Sequence, residues 1–110
     1  MFVLPTMSDL TGRVAVEALT AGVPVVVSPM TGAAGTIVQD GVNGIVVDPR
    51  DARALAAALH RAVDPQTLPA LRAGVQKMNA SITPDAAAEV ILRAVTLARS
   101  RATAGEGPRP

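Results

Sequence analysis

Cysteine, tryptophan and tyrosine are absent from this 110-residue chain, and phenylalanine occurs once, as Phe2. Without cysteine there can be neither disulfides nor thiolate metal sites, and nothing argues for secretion, so the compartment expected is the cytoplasm. With one aromatic side chain in a sequence that is 49% hydrophobic, the apolar content is mostly alanine and valine. Each of these removes little area from water, so the core is expected to be a sum of many small contributions and the stability modest. An excess of one charge is missing too. Ten basic residues against nine acidic ones leave a formal net charge of +1, without the basic footprint of a nucleic-acid binder.

Long hydrophobic runs are also lacking. The longest apolar stretch, Val23 to Met30, is broken by Pro24, Ser28 and Pro29 and is far too short to span a bilayer. The first basic residue, Arg13, comes after Phe2-Val3-Leu4, so the start reads as a strand and not as a leader peptide. His60 is the only histidine and can complete neither a triad nor a metal site, which leaves it as a solvated helix residue. Neither a Gly-x-Ser-x-Gly elbow nor a Walker loop is present, so hydrolase and P-loop chemistry have no support. Arg93, Arg99, Arg101 and Arg109 gather late in the chain, with Asp85, Glu89 and Glu106 interleaved. That mixture reads as a solvated helix face and tail and leaves membrane association unsupported.

The residues present spell out an alternation of strands and helices. Phe2-Val3-Leu4-Pro5 reads as a short strand, and Thr6 to Thr11 as a polar loop. A helix is expected to open at Gly12 or Arg13, to carry Val14, Ala15, Ala18, Leu19 and Ala21, and to end at Gly22 in a left-handed cap ahead of Pro24. Val25-Val26-Val27 is the continuous β-branched run of a strand covered on both faces, as in parallel α/β sheets. A short helical turn is expected within Thr31 to Gln39, then turns at Asp40-Gly41 and Asn43-Gly44 and a strand over Ile45-Val46-Val47. Asp51 is placed to cap a helix with Leu55, Ala58, Leu59, Ala62 and Val63 on one face, stopping near Asp64-Pro65. A weakly periodic helix follows from Thr67 to Met78. The last, capped by Thr83 with Pro84 at its first position, shows a face of Ala87, Ile91, Val95 and Ala98 and runs to Arg99. Residues 1–99 are expected to form one partial α/β domain, with residues 100–110 as a disordered tail.

The pattern that carries chemistry lies at the first helix. Asp9 sits in the loop and Glu17 eight positions later in the helix, with the helix start between them. Carboxylates accept from hydroxyls, and the unpaired amides of a helix start, here Thr11, Gly12, Arg13 and Val14, suit a phosphate. The constellation points to a sugar-nucleotide donor. Quieter readings stay open beside it: Asp9 as the acid of an Asx-type turn, Glu17 as a surface glutamate, Arg13 as a solvated arginine.

Asp9-x7-Glu17, Ala21-Gly22-Val23-Pro24-Val25-Val26, Thr31-Gly32-Ala33-Ala34, Gln39-Asp40-Gly41-Val42-Asn43-Gly44 and Val46-Val47-Asp48-Pro49 occur in one order and spacing. Over about residues 1–64 the chain thereby resembles the carboxy-terminal domain of retaining glycosyltransferases of the two-domain GT-B fold, the group often called family 4, whose hallmark is Glu-x7-Glu. The resemblance implies an α/β, Rossmann-like doubly wound domain. It implies retaining transfer of a hexose from a nucleoside-diphosphate sugar, without a metal, a cofactor or a protein nucleophile. Asp9 would then hold the sugar and take the catalytic position, Glu17 would grip the ribose hydroxyls, and residues 11–14 the diphosphate. The sequence departs from the family where Asp9 replaces glutamate, one methylene shorter, and where Leu10-Thr11-Gly12-Arg13 stands for the usual Pro-Phe-Gly-Leu.

A doubly wound domain of this kind has about six parallel strands, and this chain supplies about three, its second half. The first strand is then expected to expose a pairing edge, prone to self-association or completed by another polypeptide. The acceptor domain would be missing as well, so the expectation is a donor-binding fragment without turnover on its own. The alternative is a non-catalytic remnant or interaction module that keeps the half-fold.

Overall fold

The structure is a computed structural model and describes residues 1–105. The chain forms two compact units, Met1–Asn79 and a second from Ala80 onward. In the first unit, β1 (Phe2–Leu4), β2 (Val25–Val27) and β3 (Gly44–Val46) make a parallel sheet in the order β1-β2-β3. The helices are α1 (Arg13–Thr20), α2 (Ala52–Val63) and α3 (Thr67–Ser81), whose last residues pass into the second unit, and then α4 (Pro84–Thr103). This is the α/β half-sheet that the valine runs predict. β3 starts one residue before the expected Ile45, because Gly44 pairs with Val25.

The sheet is covered on both faces because its central strand alternates. Val25 and Val27 join Ala15 and Leu19 of α1, Ala33, Val38 and Val75 in one buried cluster, while Val26 joins Ile45, Ala58, Ala62 and Leu71 in the other. A period of two sends neighbouring side chains to opposite faces. α3 serves both layers, through Leu71 on one side and Val75 on the other. Of the face expected on α2, Ala58 and Ala62 are buried but Leu59 and Val63 are exposed. The small residues meet the sheet, and the larger ones lie at its margin.

Caps end these helices as the sequence suggests. Gly22 adopts φ 84°, its amide donates to Leu19 O at 2.9 Å, and that of Val23 donates to Ala18 O at 2.9 Å. These are the paired bonds of a Schellman stop. The Asp51 carboxylate accepts from the amides of Arg53 and Ala54, both at 3.0 Å. Residues 31–39 hold one isolated turn, closed by Ile37 N donating to Ala33 O at 3.1 Å. Gly35, at φ 77°, lies inside that turn, and its left-handed backbone interrupts a continuous helix.

Two asparagines, Asn43 of the expected turn and Asn79, which carries no pattern in the sequence, tie the unit together. Buried Asn43 accepts from Gln39 N at 2.8 Å and donates to Ile37 O at 2.9 Å, fixing the loop into β3. Asn79 on α3 donates to Leu19 O at 2.9 Å, a carbonyl that also accepts from Gly22 N, and to Thr20 O at 3.4 Å, adding a partner where the end of α1 runs out of helical donors.

In the second unit, Thr83 Oγ1 accepts from Ala86 N at 3.1 Å, Pro84 opens α4, and Arg93 pairs with Glu89 one turn before it. No residue of α4 is buried, and Ile91 and Val95 of its expected apolar face are exposed. The helix continues past the expected end at Arg99 to Thr103, so residues 100–103 of the expected tail are helical. Residues 106–110 of that tail lie outside the described residues.

Two outcomes follow from these contacts. A Cβ at Gly74 would collide with the carbonyl of Val42, although alanine favours a helix interior over glycine by about 1 kcal/mol. Urea denaturation of Gly74→Ala is therefore expected to show a loss of about 1–3 kcal/mol, the sign opposite to propensity. The second concerns Asp48, whose carboxylate takes 2.7 and 3.0 Å bonds from the Arg50 side chain and a 2.9 Å bond from its amide. The side-chain bonds first, then the backbone one, lower its pKa to about 2. A folded value below the unfolded one (about 3.9) favours the folded state above pH 4, and that contribution is lost as pH falls toward 2. A carboxyl NMR titration should place the Asp48 midpoint about two pH units below a free aspartate.

Candidate functional site

Because the strands are parallel, their carboxyl ends, Leu4, Val27 and Val46, open on one edge of the sheet. Open parallel sheets bind ligands outside that edge. The loops after β1 and β2 meet there. Asp9 N donates to Met30 O at 3.3 Å, Gly32 N donates to Asp9 O at 2.8 Å, and Asp9 pairs with Thr31 as an isolated bridge. The backbone of Asp9 is thus stitched into the loop that follows the central strand.

From that position the Asp9 side chain turns onto the start of α1. Oδ1 accepts from Gly12 N at 3.1 Å and from Thr11 N at 3.3 Å. This is the Asx-type geometry left open by the sequence, and it takes up two of the amides expected to face a phosphate. Oδ2 makes no hydrogen bond among the described residues. The next amides, of Arg13, Val14 and Ala15, stand in the first turn and have no carbonyl within the helix to bond to.

Gly12 is held at φ 64° and ψ 30° as the residue before α1. It is buried, and a Cβ there would run into Thr31 Oγ1 and Ala33 Cβ. The close approach that requires glycine is therefore to the protein's own loop. Thr31 is 3% exposed, and its Oγ1 is buried with no hydrogen-bond partner among the described residues. Its place in the loop after the buried strand, at the head of Thr31-Gly32-Ala33-Ala34, is the signal that points to it.

Arg13 and Glu17 stand one turn apart on the outer face of α1, opposite buried Ala15 and Leu19. Arg13 Nε donates to Glu17 Oε1 at 3.2 Å, with side chains 85% and 64% exposed. Val14 is about half exposed. The structure thus brings Asp9 together with Thr11 and Gly12, and Glu17 together with Arg13. No hydrogen bond or ion pair joins one group to the other among the described residues. Nor do three or more His, Asp or Glu side chains gather among them as a metal site would require.

Comparison with known proteins gives this edge a context. Residues 1–77 match the family described as Glycosyl transferases group 1. A D-inositol 3-phosphate glycosyltransferase of Catenulispora acidiphila is 33% identical over 108 residues, which is 97% of this chain and 25% of the relative. One from Thermobifida fusca is 41% identical over 61 residues, 56% of this chain and 14% of the relative. Among solved structures, sucrose-phosphate synthase from Thermosynechococcus elongatus, a GT-B glycosyltransferase, superposes with a TM-score of 0.64 at 30% identity. The superposition covers 93% of this chain and 25% of that one. The chain therefore spans about a quarter or less of the length of these relatives.

The contacts at the start of α1 rank two substitutions. Asp9→Ala removes the two turn bonds to the Thr11 and Gly12 amides ahead of α1 and is expected to cost about 1 kcal/mol. Gly12→Ala forces an unfavourable φ together with a clash and is expected to cost about 2 kcal/mol or more. Urea midpoints of the two variants measure the difference, and a Gly12→Ala chain as stable as Asp9→Ala would contradict this packing.

Proposed function

The chain belongs to the glycosyl transferases group 1 family, and from that premise we propose that it is the donor-binding piece of a retaining glycosyltransferase that moves a hexose from a nucleoside diphosphate. The observation that carries the reading is the position of the matched region. It holds both acids and the start of α1, at the carboxyl edge of a parallel sheet. Asp9 presents its free Oδ2 to the sugar hydroxyls and positions the transferred group. Glu17 has a second oxygen beyond the one bonded to Arg13 and accepts from the ribose diol. The helix start at residues 11–14 meets the diphosphate, with the free amides of Arg13 and Val14 nearest the ligand. The rate would come from positioning and from stabilising the departing diphosphate.

The share of the relatives' length that the chain covers supports an acceptor domain and a first half of the donor domain supplied by further polypeptide, and the open side of β1 is where a strand of that first half would pair. The 110 residues alone are then expected to bind donor without transferring it. A cytoplasmic setting goes with this reading; no helix among the described residues is long and apolar enough to cross a membrane.

A specific observation favours a second reading, a non-catalytic remnant. Asp9 Oδ1 already fills two amides of the helix start, and Glu17 is already paired. Calorimetry separates the two. Titration of the chain with UDP, GDP and ADP is expected to show binding of at least one, weakened about tenfold or more in Glu17→Ala, the scale of hydrogen bonds to a charged group. Absence of binding by all three would leave the remnant.

A further inference from the structure

The Arg13–Glu17 pair is poorly explained as a stabiliser of α1. Arg13 is the first residue of the helix, where the positive end of the dipole disfavours a cation. Arginine ahead of glutamate is also the weaker order for a pair four residues apart. Yet the pair is the only hydrogen bond that the Glu17 side chain makes among the described residues, and both partners stand in solvent. What it does accomplish is local. A glutamate on an exposed helix face otherwise samples several rotamers, and a 3.2 Å bond from Nε to Oε1 holds the carboxylate toward the start of α1 with Oε2 turned free.

Resting on the donor-binding reading, we infer that Arg13 is a positioning residue for Glu17, and through it for recognition of the ribose diol. The guanidinium draws Glu17 back one turn toward the first-turn amides, so that the diol acceptor and the diphosphate seat lie on neighbouring turns of the same helix. Its Nη groups make no hydrogen bond among the described residues, so orienting Glu17 leaves most of the planar fork unused. Arg13 thereby acts on which sugar the nucleotide carries, and not only on its charge.

The test is the preference of the 110-residue chain for a ribonucleotide over its 2′-deoxy counterpart, read by calorimetry with UDP, GDP and ADP and their deoxy forms. The unaltered chain is expected to prefer the ribo form. In Arg13→Leu that preference falls by about two- to fivefold, the range an exposed ion pair can influence, while Arg13→Lys, which keeps a donor within reach of Glu17, retains part of it. Far-UV circular dichroism checks that the variants keep their helices, and the lysine variant alone decides if the leucine one does not fold. An unchanged preference in the variants, whether both affinities stay the same or fall by the same factor, overturns the role of Arg13 and leaves the donor reading standing. Failure of the unaltered chain to bind any nucleotide overturns both.

Discussion

Burial of β2 on both faces is the constraint on which the rest of the first unit depends. Val25, Val26 and Val27 are each at most 1% exposed, and only a parallel strand with a neighbour on each side and a helical layer above and below reaches that state. β1 and β3 satisfy its backbone, α1 satisfies one face and α2 the other, with α3 reaching both. Because the core is built of valine and alanine, the layers close at short range, and glycine stands where backbone meets backbone, at Gly32 against Leu10 and at Gly74 against Val42. Small side chains and close approach are two aspects of one solution.

That solution also places the candidate site. A strand as short as β1 or β2 delivers its loop close to the sheet, so the loops after β1 and β2 have little freedom and meet through the backbone of Asp9. The Asp9 carboxylate then sits where its oxygens reach the start of α1. The Asp9 Oδ1 bonds back onto the Thr11 and Gly12 amides beside it, the local turn that a short acid favours.

How much of this the sequence discloses depends on how local the cause is. The valine strands, the Gly22 stop, the Asp51 and Thr83 caps and the region of α1 were legible, because each follows from residues within a turn of one another. The family match rests on several such local words in order. The roles of Asn43, Asn79, Gly74 and Thr31 were not legible, since each is set by a partner brought near only by folding. Asn79 and Leu19 are 60 residues apart. The α2 face was misjudged at Leu59 and Val63, where periodicity gives the direction of a stripe but not its width. For Glu17 the spacing sets the position on α1, and only the side-chain geometry reveals its link to Arg13.

The bond from Asn79 to the last turn of α1 has a mechanical meaning. Near its first residue the helix is gripped by Asp9, and at its last turn by a side chain from α3. A rod clamped off its axis at both ends cannot turn about that axis. The azimuth at which Glu17 faces outward is set by Ala15 and Leu19 buried on the opposite side and steadied by an asparagine that lies nowhere near it in the chain, so the aim of the outer face is a property of the whole first unit.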